Sequence, residues 1–575
     1  MWIQVQVISD DSMCLLWSSI IGASVPPTTP SRRLKTMRTN LAIQDTAILD
    51  SQHIGDIKGA LGTVRVDDNV TRKSWRSRIL TLLAIMGPGL IVMVGDNDAG
   101  GVATYAQAGQ NFGTSLLWVL LLLVPVLIVN QEMVVRLGLV TGVGHARLIF
   151  ERFGKFWGAF SVGDLFILNV LTIVTEFIGI RMAMSHFGVK PWVSVALASI
   201  LLIGMTATGS FRRWERFMYV MVIANFLVIP LVLMTHPTAR PVVTGFLLPG
   251  VHGGFTSDAL LLIIGMVGTT VAPWQLFFQQ SNVIDKRLTP RWLSYERFDT
   301  VIGSVVVVVG ATALIVTTAF AFQGTTLAGQ FVNAGTVIAG LSLHVGAVAG
   351  DLFAIILLNA SLIGAAAVTL STSYAFGDVF GTKHSLHWNI KEGWSFYVVY
   401  GIIILVSAGI VVIPHAPLGL ITTGVQALAG ILLPSATVFL LLLCNDKVVL
   451  GPWVNRPWLN IIGSVIVGVL VVLSLILAIA TFFPSVNVQV LSLVSAGVLF
   501  VGLVAAGLVW YRRRSPVKPM YGEEDRHTWR MPPLGKLPKV IWSPTQKLAM
   551  ATLRGYLVIA VIMLVVKIVQ LSIGG

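Results

Sequence analysis

From Ile79 onward the chain alternates long apolar runs with short polar connections, and runs such as LLWVLLLLVPVLIV and IIGSVIVGVLVVLSLILAIA leave no room for a water-soluble core. A helix needs about 20 mostly apolar residues to cross a bilayer. On that length the pattern predicts spans at 80–110, 114–139, 158–185, 192–210, 216–235, 257–283, 299–324, 350–380, 393–414, 418–444, 458–482 and 489–511. A thirteenth is expected at 549–571, beyond a basic, proline-rich linker. The fold class is therefore an all-α polytopic membrane protein of 12–13 transmembrane helices. Residues 1–78 are polar, apart from the stretch MCLLWSSIIGA, which is too short to cross, and are expected to form a disordered tail.

Two spans break the apolar pattern at their centres. The first reads GPGLIVMVGDNDAGGVATYAQAG, and the sixth reads LLLIIGMVGTTVAPWQLFFQQS. Glycine, proline and polar residues at bilayer depth free backbone groups from helical pairing, which is tolerated only where protein buries them or a wet cavity receives them. The breaks lie five spans apart, at corresponding places in two five-helix halves. That is the sequence mark of a secondary transporter with inverted repeats and an ion site at the midplane. The competing reading, a pair of kinked structural helices, must accommodate Asp98, since a carboxylate at helix centre costs about 2.5–3.5 kcal/mol on insertion.

The donors at these breaks are oxygens. Asp98 supplies a carboxylate, the freed carbonyls near Asp98 and Thr269 are neutral ligands, and Gln275 adds an amide; oxygen donors suit magnesium, calcium or manganese. Asn97 and Thr270 are expected to line the same cavity, with Asp96 facing a vestibule or capping the second half-helix. Met93 and Met266 stand about a turn away and read as packing. Glu176 lies deep in the third span, where a carboxylate is an ion-path candidate or a partner for Arg181.

Composition confirms the solvent: 55% of the 575 residues are hydrophobic and only 11% are charged. The net charge of +14 could suggest nucleic acid. Its distribution argues otherwise, because Lys and Arg gather before the first span and after even-numbered spans, as with Arg147, Arg212, Lys286 and Arg287, which predicts a cytoplasmic N-terminus in a cell membrane. Two cysteines, Cys14 and Cys444, cannot build a disulfide framework or a thiolate metal site. No phosphate-binding loop, zinc-helix or nucleophile-elbow motif is present, so an enzyme or nucleotide-driven pump is not indicated, and transport would draw on ion gradients or the membrane potential.

At its two breaks the sequence resembles the NRAMP family of divalent-metal transporters, over about residues 80–510. The family's DPGN motif followed by QAG corresponds to Asp98, Ala99, Gly100, Gly101 and then Gln107, Ala108, Gly109, and its MPHN motif to Ala272, Pro273, Trp274 and Gln275. The TLxTxYA pattern from Thr369, IKEGW from Ile390 and LPxA from Leu433 follow in order. The resemblance implies a LeuT-like fold with inverted repeats at 79–238 and 239–445, two further helices in 446–514, and a linker with an extra helix in 515–575. It makes Asp98 the metal-binding aspartate. It also exposes departures: Gly101 replaces the family's metal-binding asparagine, Ala272 its methionine, and Trp274 its histidine, while Gln426 and Glu176 are kept. Removal of two ligands predicts an enlarged, oxygen-lined site around Asp98, Gly101, Thr269, Ala272 and Gln275, holding a partly hydrated ion.

Such departures look like those of NRAMP-related magnesium transporters. The expectation is therefore a monomeric importer of magnesium, and also of manganese, without proton coupling and without a resident cofactor. An ordinary proton-coupled manganese or iron symporter and a non-transporting metal sensor are the alternatives.

Overall fold

The computed structural model describes residues 47–413, 418–483 and 486–512, with scattered positions between 526 and 558. Two short strands open it, β1 (Ile57–Gly59) and β2 (Gly62–Val64), paired antiparallel with Ile57 opposite Val64. The first expected span is three helices: α1 (Trp75–Ile85), α2 (Pro88–Val94) and α3 (Ala99–Phe112). Then come α4 (Leu117–Thr141), α5 (His145–Phe153), α6 (Lys155–His186), α7 (Pro191–Thr206), and α8 (Phe211–Ala224), which runs through a tighter turn into α9 (Val228–Met234). The second half holds α10 (Ala239–Leu247), α11 (Ser257–Thr270), α12 (Pro273–Asp285), α13 (Leu293–Phe322), α14 (Ala334–His344), α15 (Ala347–Phe380), α16 (Trp394–Val412) and α17 (Leu418–Cys444). After the single turn α18 (Lys447–Leu450), α19 (Pro457–Phe482) and α20 (Val488–Arg512) follow.

Ten of the described helices are long and apolar enough to cross a bilayer, or eleven when α1 and α2, bent by 54° at Met86–Gly87, count as one. The thirteenth expected span, 549–571, falls largely outside the described residues. The first and sixth spans break where the sequence predicts. Asp98 caps α3 by accepting the Gly101 amide, and Pro273 opens α12 at a position where its missing N–H costs nothing. The α11–α12 span is the hub, with 94% of its apolar window buried, whereas none of the α20 window is, which leaves that helix on the lipid side. Between helices already in hydrocarbon, close packing rather than the hydrophobic effect holds the bundle. Gly268 and Gly430 meet where α11 crosses α17, and a Cβ on Gly268 would stand 2.2 Å from the Gly430 nitrogen. That approach carries Gln426 to the first break.

One expectation for the termini is corrected. Residues 47–74 are not a disordered tail: they lie folded against the face where the basic loops gather, with Ile57, Ala60 and Val64 buried. Their carbonyls are satisfied by arginines at the basic face, Arg212 and Arg216 at the start of α8 donating to Gly59 and Gly62 and to Ala60, and Arg287 after α12 donating to Gln52. Polar composition alone reads as solvated chain, and the pairing of backbone oxygens with distant guanidinium groups has no local signal. Residues 1–46 lie outside the described residues.

Candidate metal site at the helix breaks

Asp98 sits at the N-terminus of α3 with 2% exposure, and its Oδ1 accepts the Gly101 amide at 2.6 Å. The partial positive charge of a helix N-terminus suits a carboxylate there. Glu176, fully buried on α6, reaches the same turn and accepts the Ala99 amide at 3.0 Å. Gly364 of α15 packs over both carboxylates, and a Cβ there would stand 2.7 Å from the Glu176 carboxyl and 2.8 Å from Asp98 Cβ. Arg181, the alternative partner for Glu176, instead donates to the Val411 carbonyl at 2.8 Å.

Three kinds of oxygen converge on Gly101. A Cβ on that residue would lie 2.6 Å from the Asp96 carbonyl oxygen, 2.9 Å from the Thr269 hydroxyl and 3.4 Å from Asp98 Oδ1. Gln426 lies against Gly100 with its Nε2 buried and unpartnered. A carboxylate, a carbonyl and a hydroxyl form a hard donor set, and neither sulfur nor imidazole joins it. This corrects the expectation of an enlarged cavity. The Asp96 carbonyl and the Thr269 hydroxyl stand where a side chain on Gly101 would begin, so no open space lies beside its Cα. Asp96 is likewise neither a vestibule residue nor the cap of α3; it is fully buried, both carboxyl oxygens lack a partner, and Asp98 is the cap.

The remaining predicted residues scatter around this point. Gln275 turns away to accept from Gln131 of α4 at 3.0 Å and to donate to the Thr270 carbonyl at 3.3 Å. The Thr270 hydroxyl pairs with Tyr105 at 2.7 Å. Asn97 donates to the Val307 carbonyl at 3.2 Å and lines a separate cavity of about 240 Å³ beside α9 and α13. Ala272 caps α12 and is buried. Trp274 packs beneath Gly95 and begins an aromatic layer, 5.9 Å between ring centres to Phe278 and 6.5 Å onward to Tyr374. The structure thus joins Asp98, Gly101, Thr269, Gln426 and Glu176, and separates Asn97, Thr270 and Gln275 from them. Sequence reading misplaced Asp96 and missed Gly364 and Gln131. Gln131 left a signal, the polar run Asn130–Gln131–Glu132 inside a largely apolar span; Gly364 left none.

The site is closed on one side and nearly open on the other. Away from the basic face, a cavity of about 500 Å³ is lined by Gln107, Asn111, Asp258 and Thr423, and reaches Thr104 and Gly265, about one turn beyond Gly101 and Thr269. Toward the basic face, the aromatic layer and then the docked N-terminal segment intervene.

Paired broken helices at the centre of the bundle, with a cavity on one side and the docked N-terminal segment on the other, define a polytopic membrane protein of LeuT-like fold. The sequence matches the family described as natural resistance-associated macrophage protein-like over residues 89–480, more than half of the chain. The divalent metal cation transporter MntH of Lacticaseibacillus casei is 26% identical over 413 residues, covering 69% of this chain and 89% of that protein. Its Bacillus subtilis counterpart is 28% identical over 428 residues, covering 70% and 93%. Among solved structures, the Eremococcus coleocola manganese transporter superimposes with a TM-score of 0.56 at 21% identity, covering 77% of this chain and 98% of that one. This chain belongs to the NRAMP family. The relatives named here are divalent-metal or manganese transporters, and a magnesium branch finds no support among them.

Proposed function

We propose that this protein carries divalent metal cations across the cell membrane as a secondary transporter of the ordinary NRAMP type, with manganese a principal cargo. The observation that carries the reading is the buried Asp98 carboxylate, set with the Asp96 carbonyl and Thr269 hydroxyl around Gly101. A fixed anionic oxygen at a helix break, within about a turn of a polar vestibule, has a purpose only if a cation visits it. Asp98 is the anchoring ligand, Thr269 and the Asp96 carbonyl complete the oxygen set, and Gln426 supplies a polar wall. Glu176, beside Asp98, is the ion-path residue. The basic loops orient the docked N-terminal face toward the cytoplasm, so the vestibule opens outward and transport is import.

A second reading, uncoupled magnesium uptake, is favoured by one observation: Ala272 and Trp274 leave no sulfur or imidazole at the oxygens. Magnesium retains several waters and takes only a few protein oxygens. Proteoliposomes separate the readings. Manganese uptake accompanied by lumenal acidification supports the ordinary type, whereas magnesium uptake without a pH change supports the second. Metal binding with no flux of either ion would leave a sensor and end the transport reading.

A further inference from the structure

The N-terminal segment 47–70 is bound to the parts of the bundle that must separate for the site to open toward the basic face. Asp50 accepts the His384 amide at 2.9 Å and the Trp388 indole N–H at 2.9 Å, which ties the strap to the connection after α15. Arg287, at the end of the half-helix α12, donates to the Gln52 carbonyl at 2.7 Å and to the Gln52 side chain at 3.0 Å. Arg212 of α8 grips Gly59, Gly62 and Thr63.

The strap also enters a buried ion pair. Lys286 donates to Glu215 at 2.5 Å and to the Met86 carbonyl at 2.8 Å, with both charged side chains fully buried, and the Ala60 amide donates to the same Glu215 carboxylate. Met86 leads directly into the other half-helix, α2, whose first amides, Gly87, Gly89 and Leu90, are held by Asp299. The strap therefore contacts an ion pair between the end of α12 and α8 whose lysine also holds the Met86 carbonyl at the start of α2. These are the half-helices on the basic side of the two breaks.

We infer that residues 47–70 are a gate of the transport path, a strap that clasps α2 and α12 together and must leave them before a cation can pass from Asp98 to the basic face. The inference rests on the transport reading for its cargo, but not for its mechanical content. A passive surface segment would be expected to lie on one repeat; this one bridges α8, α12 and the α15–α16 connection and reaches a buried charge pair beneath them.

Two arms test it. Asp50→Ala and Arg212→Ala, alone and combined, should raise hydrogen–deuterium exchange in residues 279–287 and 86–94 of the reconstituted full chain while α3 keeps its protection. In the second arm the strap is locked rather than loosened. A Cβ on Gly142 would stand 3.9 Å from Ile48 Cβ, within the about 3.5–4.5 Å range of a disulfide, so Ile48→Cys with Gly142→Cys, in a Cys14→Ser background, should cross-link on oxidation. Flux of the oxidised protein should fall at least tenfold and return with a reductant. Unchanged exchange in the loosened variants, or native flux through the cross-linked protein, would overturn the gate. If no chain moves manganese or magnesium yet the exchange difference is present, the transport reading fails and the clasp stands.

Discussion

Replacing Gly101 with asparagine restores the residue that the family resemblance places at the metal, and two lines of reasoning predict opposite results. If the missing side chain leaves a roomy site, Gly101→Asn should be accommodated and should strengthen binding by adding a ligand. The structure predicts failure. The new Cβ would stand 2.6 Å from the Asp96 carbonyl oxygen, a backbone atom, and 2.9 Å from the Thr269 hydroxyl. Both must move, and both are proposed ligands. Forcing bulk into packed space costs about 1–3 kcal/mol, and at about 1.4 kcal/mol per tenfold that displacement weakens cation binding by about 5- to 150-fold. Uptake of manganese into proteoliposomes, fitted for KM and maximal rate, measures it. Gly101→Ala is the control, carrying the same Cβ without a new ligand, and it should lose a similar factor. A Gly101→Asn chain that transports with native or lower KM would refute the claim that chain oxygens have closed the space.

Other substitutions follow from the same geometry. Asp98→Asn keeps the shape and an acceptor for the Gly101 amide but removes the anion, and metal affinity measured by calorimetry should fall by at least the about 10–100-fold that loss of an outer metal partner costs. Ala272→Met places a soft atom at the start of α12, so competition between manganese and magnesium should shift toward manganese; unchanged competition would show that the α12 cap does not reach the ion. Glu215→Ala strands the Lys286 ammonium in a fully buried position, a change worth about 3–5 kcal/mol, and thermal unfolding in detergent should show a clear loss of stability, with native stability counting against the ion pair.

The large features were legible because each rests on a local physical rule. Apolar run lengths located most of the spans, and the glycine and proline interruptions located both breaks, with Asp98 at the head of α3. What escaped depends on contacts between distant parts of the chain. Gly101 reads as a missing ligand in sequence, and only the fold brings the Asp96 carbonyl and the Thr269 hydroxyl into its place. Gln275 has the right chemistry for a ligand, yet Gln131, 144 positions away, offers its amide first. The strap escaped for the same reason: its partners Arg212, Arg287 and Trp388 lie far along the chain from it, and their loops were read only for topology.

The strap also carries a pH dependence whose direction can be worked out. His53 is packed among Asp50 of the strap, Asp285 and Arg287 of the α12 end, Asp378 of α15, and His384 and His387 of the following connection. Neither of its ring nitrogens has a hydrogen-bond partner, and Asp285 is 3.8 Å away. Burial, aided by the charge of His384, holds the docked imidazole below its ordinary value of 6.5. The docked strap therefore binds fewer protons than the released one; docking is full above about 6.5 and weakens as pH falls through the docked value. At the other end, burial pulls His384 down, but Asp378, the Thr382 carbonyl and Asp50 outweigh it and raise it to about 9; of these only Asp50 belongs to the strap, so its smaller share supports docking at lower pH and is lost as pH rises through about 9. Burial pushes Asp50 up, yet His53 and the Gln52 and His384 amides hold it below 3.8, outside this window. Docking should therefore weaken on the acidic side through His53 and, by the smaller Asp50 share, on the basic side as pH rises through about 9. Spin labels at Leu61 and Glu392 would report the strap-to-body distance across that range, with His53→Gln removing the acidic limb alone. An acidic limb that persists in His53→Gln would assign the proton to another group and sink this account of the strap.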